Sequence, residues 1–209
     1  MKILVTGGSG YIGSILTDML LKNNFKVTVI DNFMYNQTSL NHLCVNKNLE
    51  IVNADVRNIN IIKNHLAKND LIIPLAAIVG APACDRDPIN SKSINKNSIL
   101  DLFKLVSKDQ AIIMPTTNSA YGSGDKNNLC DENSPVNPIS SYAKDKVQIE
   151  EELMQKENVI SLRLATVFGM SPRMRIDLLV NDFVFRAIFD KFIVLYESHF
   201  KRNYIHLSD

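Results

Sequence analysis

At 209 residues the chain is long enough for one hydrophobic core plus a fragment of a second unit. With 45% hydrophobic and 22% charged residues it has ordinary globular composition, which argues against a disordered or membrane-embedded chain. A formal net charge of +1 supplies no general field for nucleic acid or an anionic membrane surface.

The chain opens on Ile3–Thr6, an apolar run too short for a secretion signal or a membrane span, so a cytoplasmic location is expected. Further strand-like runs follow at Lys26–Ile30, Glu50–Asn53, Leu71–Pro74, Ala111–Met114 and Val159–Leu164. Between them the spacing predicts helices over Tyr11–Leu21, Ile59–Ala67, Ile89–Ser107 and Ser141–Lys156. Alternation of this kind predicts an α/β fold with a doubly wound parallel sheet, and continuously apolar strands fit a sheet covered on both faces. The Gly-, Asn-, Ser- and Pro-rich stretch Asn118–Pro138 reads as a long surface loop. Beyond Gly169 the pattern changes to an apolar helix over Ile176–Phe189 and a short terminal strand. We therefore expect one doubly wound domain over 1–169 and the start of a second lobe over 170–209. Cys44, Cys84 and Cys130 form no C-x-x-C pair, so neither a disulfide framework nor a metal site is expected.

The turn after the first strand carries the clearest chemistry. Gly7, Gly10 and Gly13 stand between a strand and a helix, where glycine permits a tight turn and close approach of backbone N–H groups to a pyrophosphate. Tyr11 and Ile12 open that helix and are expected against the same ligand. Asp31, with Asn32, ends the second strand; a carboxylate there accepts hydrogen bonds from ribose hydroxyls and repels a 2′-phosphate, favouring NAD over NADP. Asp55 and Val56 follow the third strand and are expected beside the adenine, although an Asp there also suits a turn.

Tyr142 and Lys146 lie one helical turn apart, so both side chains can meet one substrate. An ammonium and a positive nicotinamide ring would both stabilise phenolate, lowering the tyrosine pKa so that it can act as a general base. Alone, Tyr-x-x-x-Lys more often marks a solvated helix face. Taken with Thr6-Gly7-x-x-Gly10-x-x-Gly13 and the Glu132–Pro138 lead-in, it resembles the extended short-chain dehydrogenase/reductases of the NAD-dependent epimerase/dehydratase type over nearly the whole chain.

The resemblance implies further roles. It makes Thr117, in Thr117-Asn118-Ser119-Ala120-Tyr121-Gly122, the hydroxyl that completes the catalytic set with Tyr142 and Lys146, and gives Tyr142 and Lys146 contacts to the cofactor as well. It passes Leu75, Ala76 and Ala77 beside the NAD. It also puts Thr166 where many members carry an Asn toward the substrate, and makes Arg202 the grip on the substrate diphosphate, a task suited to a planar guanidinium. Arg173 and Arg175 are read as a solvated basic loop with phosphate contact as the less favoured alternative, and Asp85, Arg86 and Asp87 as weaker candidates for the sugar pocket. Dehydratases of this type carry an Asp-Glu pair where Asn118 and Ser119 stand, so elimination of water is disfavoured. The implied activity is redox chemistry on a nucleotide-sugar, most simply epimerisation through a keto sugar. A nucleotide-sugar dehydrogenase/reductase or a non-catalytic NAD-binding protein is the alternative. Members of the type run on for about a domain's worth more residues, so the substrate lobe is expected to be incomplete here. They also pair as homodimers through helices such as those at Ile89–Ser107 and Ser141–Lys156.

Overall fold

The computed structural model describes residues 1–123 and 129–209. Six parallel strands form the main sheet: β1 (Lys2–Thr6), β2 (Lys26–Asp31), β3 (Leu49–Asn53), β4 (Leu71–Pro74), β5 (Ala111–Pro115) and β6 (Val159–Leu162), in the order β3-β2-β1-β4-β5-β6. This is the doubly wound arrangement expected from sequence. The order reverses between β1 and β4, so the loops leaving their C-terminal ends diverge and open a crevice there.

Alternate strand residues feed two cores, which is why the strands carry no polar face. Leu4, Ile30, Ile72 and Ile112 pack with helices α2 (Ile59–Leu66), α5 (Ser98–Leu105) and α6 (Ser141–Leu153). Ile3, Val5, Val27 and Val29 pack on the opposite face with Leu21 of α1 (Tyr11–Lys22) and with Leu40 and Leu43. Ile99, Leu102 and Phe103 of α5 and Ile149 and Leu153 of α6 are all in the first of these cores.

Two elements differ from expectation for local reasons. The helix read as Ile89–Ser107 is three pieces: α4 (Pro88–Lys92), a π-helical turn Ser93–Asn97, and α5. A further short helix, α3 (Ala81–Arg86), precedes them. The wider turn places Asn95, which is only 1% exposed, against the loop after β4. There its Oδ1 accepts from Ile78 N–H at 2.7 Å and its Nδ2 donates to Ile78 C=O at 2.8 Å. The strand read as Val159–Leu164 stops at Leu162, because the Leu164 N–H turns back to the Leu162 carbonyl at 2.8 Å. A short strand β7 (Thr166–Phe168) then pairs in parallel with β8 (Tyr204–His206), and α7 (Leu179–Phe189) lies between them in sequence. The small sheet thus joins residues on both sides of position 169. The middle of the loop read as Asn118–Pro138, residues 124–128, lies outside the described residues; Asn118–Tyr121 forms a turn of 3₁₀ helix.

Asn95 satisfies both backbone polar groups of buried Ile78. Asn95→Ala is therefore expected to destabilise the chain by about 1–3 kcal/mol, read as a lower urea midpoint. An unchanged midpoint would show that Ile78 finds other partners.

Candidate active site

The crevice between β1 and β4 holds a cleft of about 320 Å³, large enough for part of an extended cofactor. Its floor is the glycine turn. Gly7 adopts φ +70°, and a Cβ there would lie 2.5 Å from Ala76 N; one on Gly13 would lie 2.4 Å from the Gly7 carbonyl oxygen. Only a chain without side chains at these points can bring strand end, helix start and the Leu75–Ala77 loop together. Helix α1 starts at Gly10 without a side-chain cap, so its first free N–H groups open onto the cleft that Tyr11, Ile12 and Gly13 line. This cradle fits a pyrophosphate.

At one end, Asp31 is 7% exposed and held by N–H groups of Ser9 at 3.1 Å and Phe33 at 2.9 Å. Asn32, Asp55, Val56, Leu75, Ala76 and Ala77 all line the cleft as expected. Asp55 also does what its alternative reading required. It receives the Arg57 backbone N–H at 2.8 Å and both Nε and Nη2 of the same guanidinium. Those side-chain hydrogen bonds, opposed by burial, hold its carboxyl below the ordinary value.

Tyr142 and Lys146 project from the first two turns of α6, which starts at Ser140, whose hydroxyl caps the Ala143 N–H at 3.2 Å. Neither is part of the cleft lining. Tyr142 reaches it by packing against Ile78 and Ile94, which do line it, and against Cys84. The Lys146 Nζ lies 5.9 Å from the Tyr142 ring centre and donates to the Pro115 carbonyl at 3.4 Å. Burial pushes the phenol up to about 12, with Cys84 adding and Arg175 opposing, and draws the ammonium down to about 8. The lysine alone therefore does not lower the tyrosine: desolvation disfavours both charged forms, and the charges acting on the phenol are those of Cys84 and Arg175.

Thr117, 9% exposed, caps the 3₁₀ turn: its Oγ1 accepts the Ser119 N–H at 3.1 Å, leaving its own proton to donate. Helix α6 packs against this turn. Behind it stands a network absent from the sequence reading. Glu150, one turn beyond Lys146, receives Arg163 Nε at 2.8 Å and Nη2 at 2.6 Å, and the hydroxyls of Thr116 and Ser161 each at 3.0 Å. Arg163 also reaches the Tyr121 hydroxyl at 3.1 Å. Burial would raise the Glu150 carboxyl, but these hydrogen bonds prevail and hold it below its usual value. Helix α6, β6 and the Thr117 turn are so fastened to one carboxylate.

The outer candidates are less gathered. Thr166 opens β7, its N–H bonded to the Asn203 carbonyl at 3.2 Å, while Arg202 is exposed just before β8; neither lines the cleft. Asp85, Arg86 and Asp87 are exposed too, Asp85 meeting the Ser141 hydroxyl at 3.3 Å and Asp87 capping α4. Arg173 and Arg175, read as a solvated loop, do line the cleft. No local signal marked them, because the contacts that place them are distant in sequence.

Residues 3–209 match the NAD dependent epimerase/dehydratase family. The chain belongs to that family. Among curated relatives, a putative UDP-glucose 4-epimerase of Methanocaldococcus jannaschii is 30% identical over 177 residues, covering 80% of this chain and 56% of the relative. UDP-glucuronic acid decarboxylase 1 of Xenopus tropicalis is 27% identical over 209 residues, covering 94% of this chain and 48% of the relative. The chain thus spans about half the length of these curated relatives. Among solved structures, UDP-glucuronic acid 4-epimerase of Bacillus cereus in complex with UDP-glucuronic acid and NAD superposes with a TM-score of 0.84 at 26% identity. That match covers 100% of this chain and 70% of the other. The family's cofactor is NAD, and the glycine cradle with Asp31 fits it. Among the described residues no helix is long and apolar enough to cross a membrane.

Lys146 supplies a stability test. Its folded value of about 8 lies below the ordinary 10.5, so the unfolded chain binds the proton more tightly. The buried ammonium therefore costs stability in full below pH 8, and the cost fades as pH rises toward 10.5. Lys146→Met, similar in volume, is expected to raise the urea midpoint at pH 7 and to lose much of that advantage by pH 10. An equal or lower midpoint at pH 7 would mean that the ammonium is better paired than its surroundings indicate.

Proposed function

We propose that the chain carries out NAD-dependent redox chemistry on a nucleotide-sugar, most simply epimerisation through a keto sugar. One observation carries the reading: α6, packed against the Thr117 turn, carries a buried lysine and a tyrosine one turn apart, and the tyrosine packs against a cluster whose Ile78 and Ile94 line the glycine-floored cleft. The domain over 1–169 supplies the catalytic groups and most of the cofactor cleft, to which Arg173, Arg175 and Asp177 also contribute, and 170–209 begins the substrate side. The relatives, a putative UDP-glucose 4-epimerase and a UDP-glucuronic acid decarboxylase, support the substrate class.

Each role follows from local chemistry. Gly7, Gly10 and Gly13, with the N–H groups of Tyr11 and Ile12, bind the pyrophosphate. Asp31 and Asn32 take the adenosine ribose, and Asp55 and Val56 the adenine side. Leu75, Ala76 and Ala77 form the opposite wall. When bound, NAD accepts a hydride from the sugar carbon and returns it. Thr117 donates its free proton to the sugar oxygen, positioning the carbinol. Tyr142 removes the hydroxyl proton as the carbonyl forms and returns it on reduction. Beside the Lys146 ammonium the phenol still stands at about 12, so the positive nicotinamide ring, when bound, would supply the further charge that lowers it. Thr166 and Arg202 face the substrate. A pair of such chains would meet through the outer faces of α5 and α6, because the inner faces lie in the core.

The test is NMR of the chain with NAD and a panel of UDP-, GDP-, CDP- and dTDP-sugars. New anomeric signals without net NADH are expected, with Tyr142→Phe slowing turnover by roughly 10²–10⁴-fold while NAD binding persists. Accumulating NADH would make the chain a dehydrogenase. Unchanged turnover in Tyr142→Phe would remove the catalytic assignment, and silence across the panel with NAD bound would leave a non-catalytic NAD-binding protein.

A further inference from the structure

The stretch 169–181 crosses from the small sheet to α7 and is fastened to the start of helix α1 by buried side chains. The Tyr11 hydroxyl donates to the Gly169 carbonyl at 2.8 Å. Asn181 Nδ2 donates to that hydroxyl at 3.0 Å and to the Arg175 carbonyl at 2.9 Å, while its Oδ1 accepts the Gly169 N–H at 3.0 Å. Ser171 donates to the Tyr11 carbonyl at 2.7 Å and meets the Ser14 hydroxyl at 3.0 Å. Ser14, Tyr11, Ser171 and Asn181 are all under 10% exposed. A loop held at both ends by buried hydrogen bonds carries its side chains to fixed places.

Those side chains are two arginines facing the glycine turn. Arg173 lies over the Tyr35 ring at 4.8 Å, on the adenosine side of the cleft, where Tyr35 follows Asp31 and Asn32. Arg175 lines the same cleft as Tyr11, Tyr35 and the glycine turn. Asp177 takes its Nε at 2.9 Å and its Nη2, and no hydrogen bond engages Nη1 among the described residues. The carboxylates on the cleft wall are Asp31, Asp55 and Asp177, and the latter two are paired with arginines.

We propose that Arg173 and Arg175 form a fixed cationic jaw for a diphosphate bound at the glycine turn, held in place by the Tyr11–Ser171–Asn181 hydrogen bonds as its pins. The inference rests on the NAD reading and deepens it. The glycine turn supplies neutral N–H donors and no full charge, whereas a diphosphate carries charge that a guanidinium meets with paired donors. A diphosphate could arrive in the dinucleotide or in the nucleotide-sugar. The placement of both arginines on the wall shared with Gly7, Gly13 and Asp31 assigns the jaw to the dinucleotide.

Calorimetric titration of the full chain with NAD, ADP-ribose, adenosine and UDP tests this. Arg173→Gln and Arg175→Gln are each expected to weaken NAD and ADP-ribose about tenfold, the size of one lost charge-assisted contact, and to leave adenosine and UDP unchanged. Unfolding midpoints matching the parent chain exclude misfolding as the cause. ADP-ribose bound as tightly by both variants would overturn the jaw. So would loss of UDP binding alone, which would assign the arginines to the substrate, or equal loss of adenosine, which would make them mere wall. A parent chain that binds no NAD would remove the underlying reading and the jaw together, whereas parental binding with indifferent variants removes the jaw alone.

Discussion

The contact on which the site depends is the near-touch of backbone against backbone at the roots of two diverging loops. β1 and β4 are neighbours, yet the chain leaves β1 toward β2 on one side and β4 toward β5 on the other. At the parting, Gly7 stands so close to Ala76 that a single Cβ would intrude to 2.5 Å. A side chain there would push the Leu75–Ala77 loop outward, widen the crevice and tilt α1, whose free N–H groups would then miss a ligand. Cofactor cradle, cleft width and the aim of α1 are therefore one constraint, met by the absence of atoms rather than by any attractive contact.

Tyr142 and Lys146 obey a different logic, in which burial opposes charge. Lys146 is buried without a carboxylate partner within ion-pair distance among the described residues, and its ammonium and the Tyr142 phenol are both pushed toward neutrality. A fold selected for stability alone would place an apolar residue there. Glu150, one turn farther along α6, is the counterexample on the same helix. It is also partly buried, but Arg163, Ser161 and Thr116 satisfy it, and its carboxyl is held low. Its protective contribution is present above the ordinary value of 4.5 and is lost as pH falls through the lower folded value. One helix thus carries a carboxylate whose partners hold it in place and, one turn earlier, a buried ammonium whose hydrogen bond among the described residues goes to the Pro115 carbonyl.

What the sequence made legible was whatever is local. The glycine turn, Asp31 and the Tyr142–Lys146 pair each declare themselves within a few residues, and strand–helix alternation suffices for the sheet. The less legible features need partners far along the chain. Glu150 and Arg163 form a pair only because α6 lies on β6, and Tyr11 looks like an ordinary helix-start residue until Gly169 and Asn181 arrive at its hydroxyl. The same distance explains the misjudged loop. Arg173 and Arg175 follow a proline in a polar stretch, where solvation is the sensible expectation, and only the pins at Ser171 and Asn181 turn them inward.

The pKa reversal at Tyr142 has a related origin. Spacing along a helix tells that an ammonium is near a phenol, but not how much water either has lost. At 5.9 Å between the ammonium and the ring centre, Lys146 is not among the groups that shift the phenol, and loss of hydration sets the direction at both, so spacing alone does not make a general base. On the proposed reading, an oxidised nicotinamide ring beside the phenol would add positive charge that the reduced ring would not, so proton removal by Tyr142 would be coupled to the cofactor that can accept electrons rather than to the lysine alone.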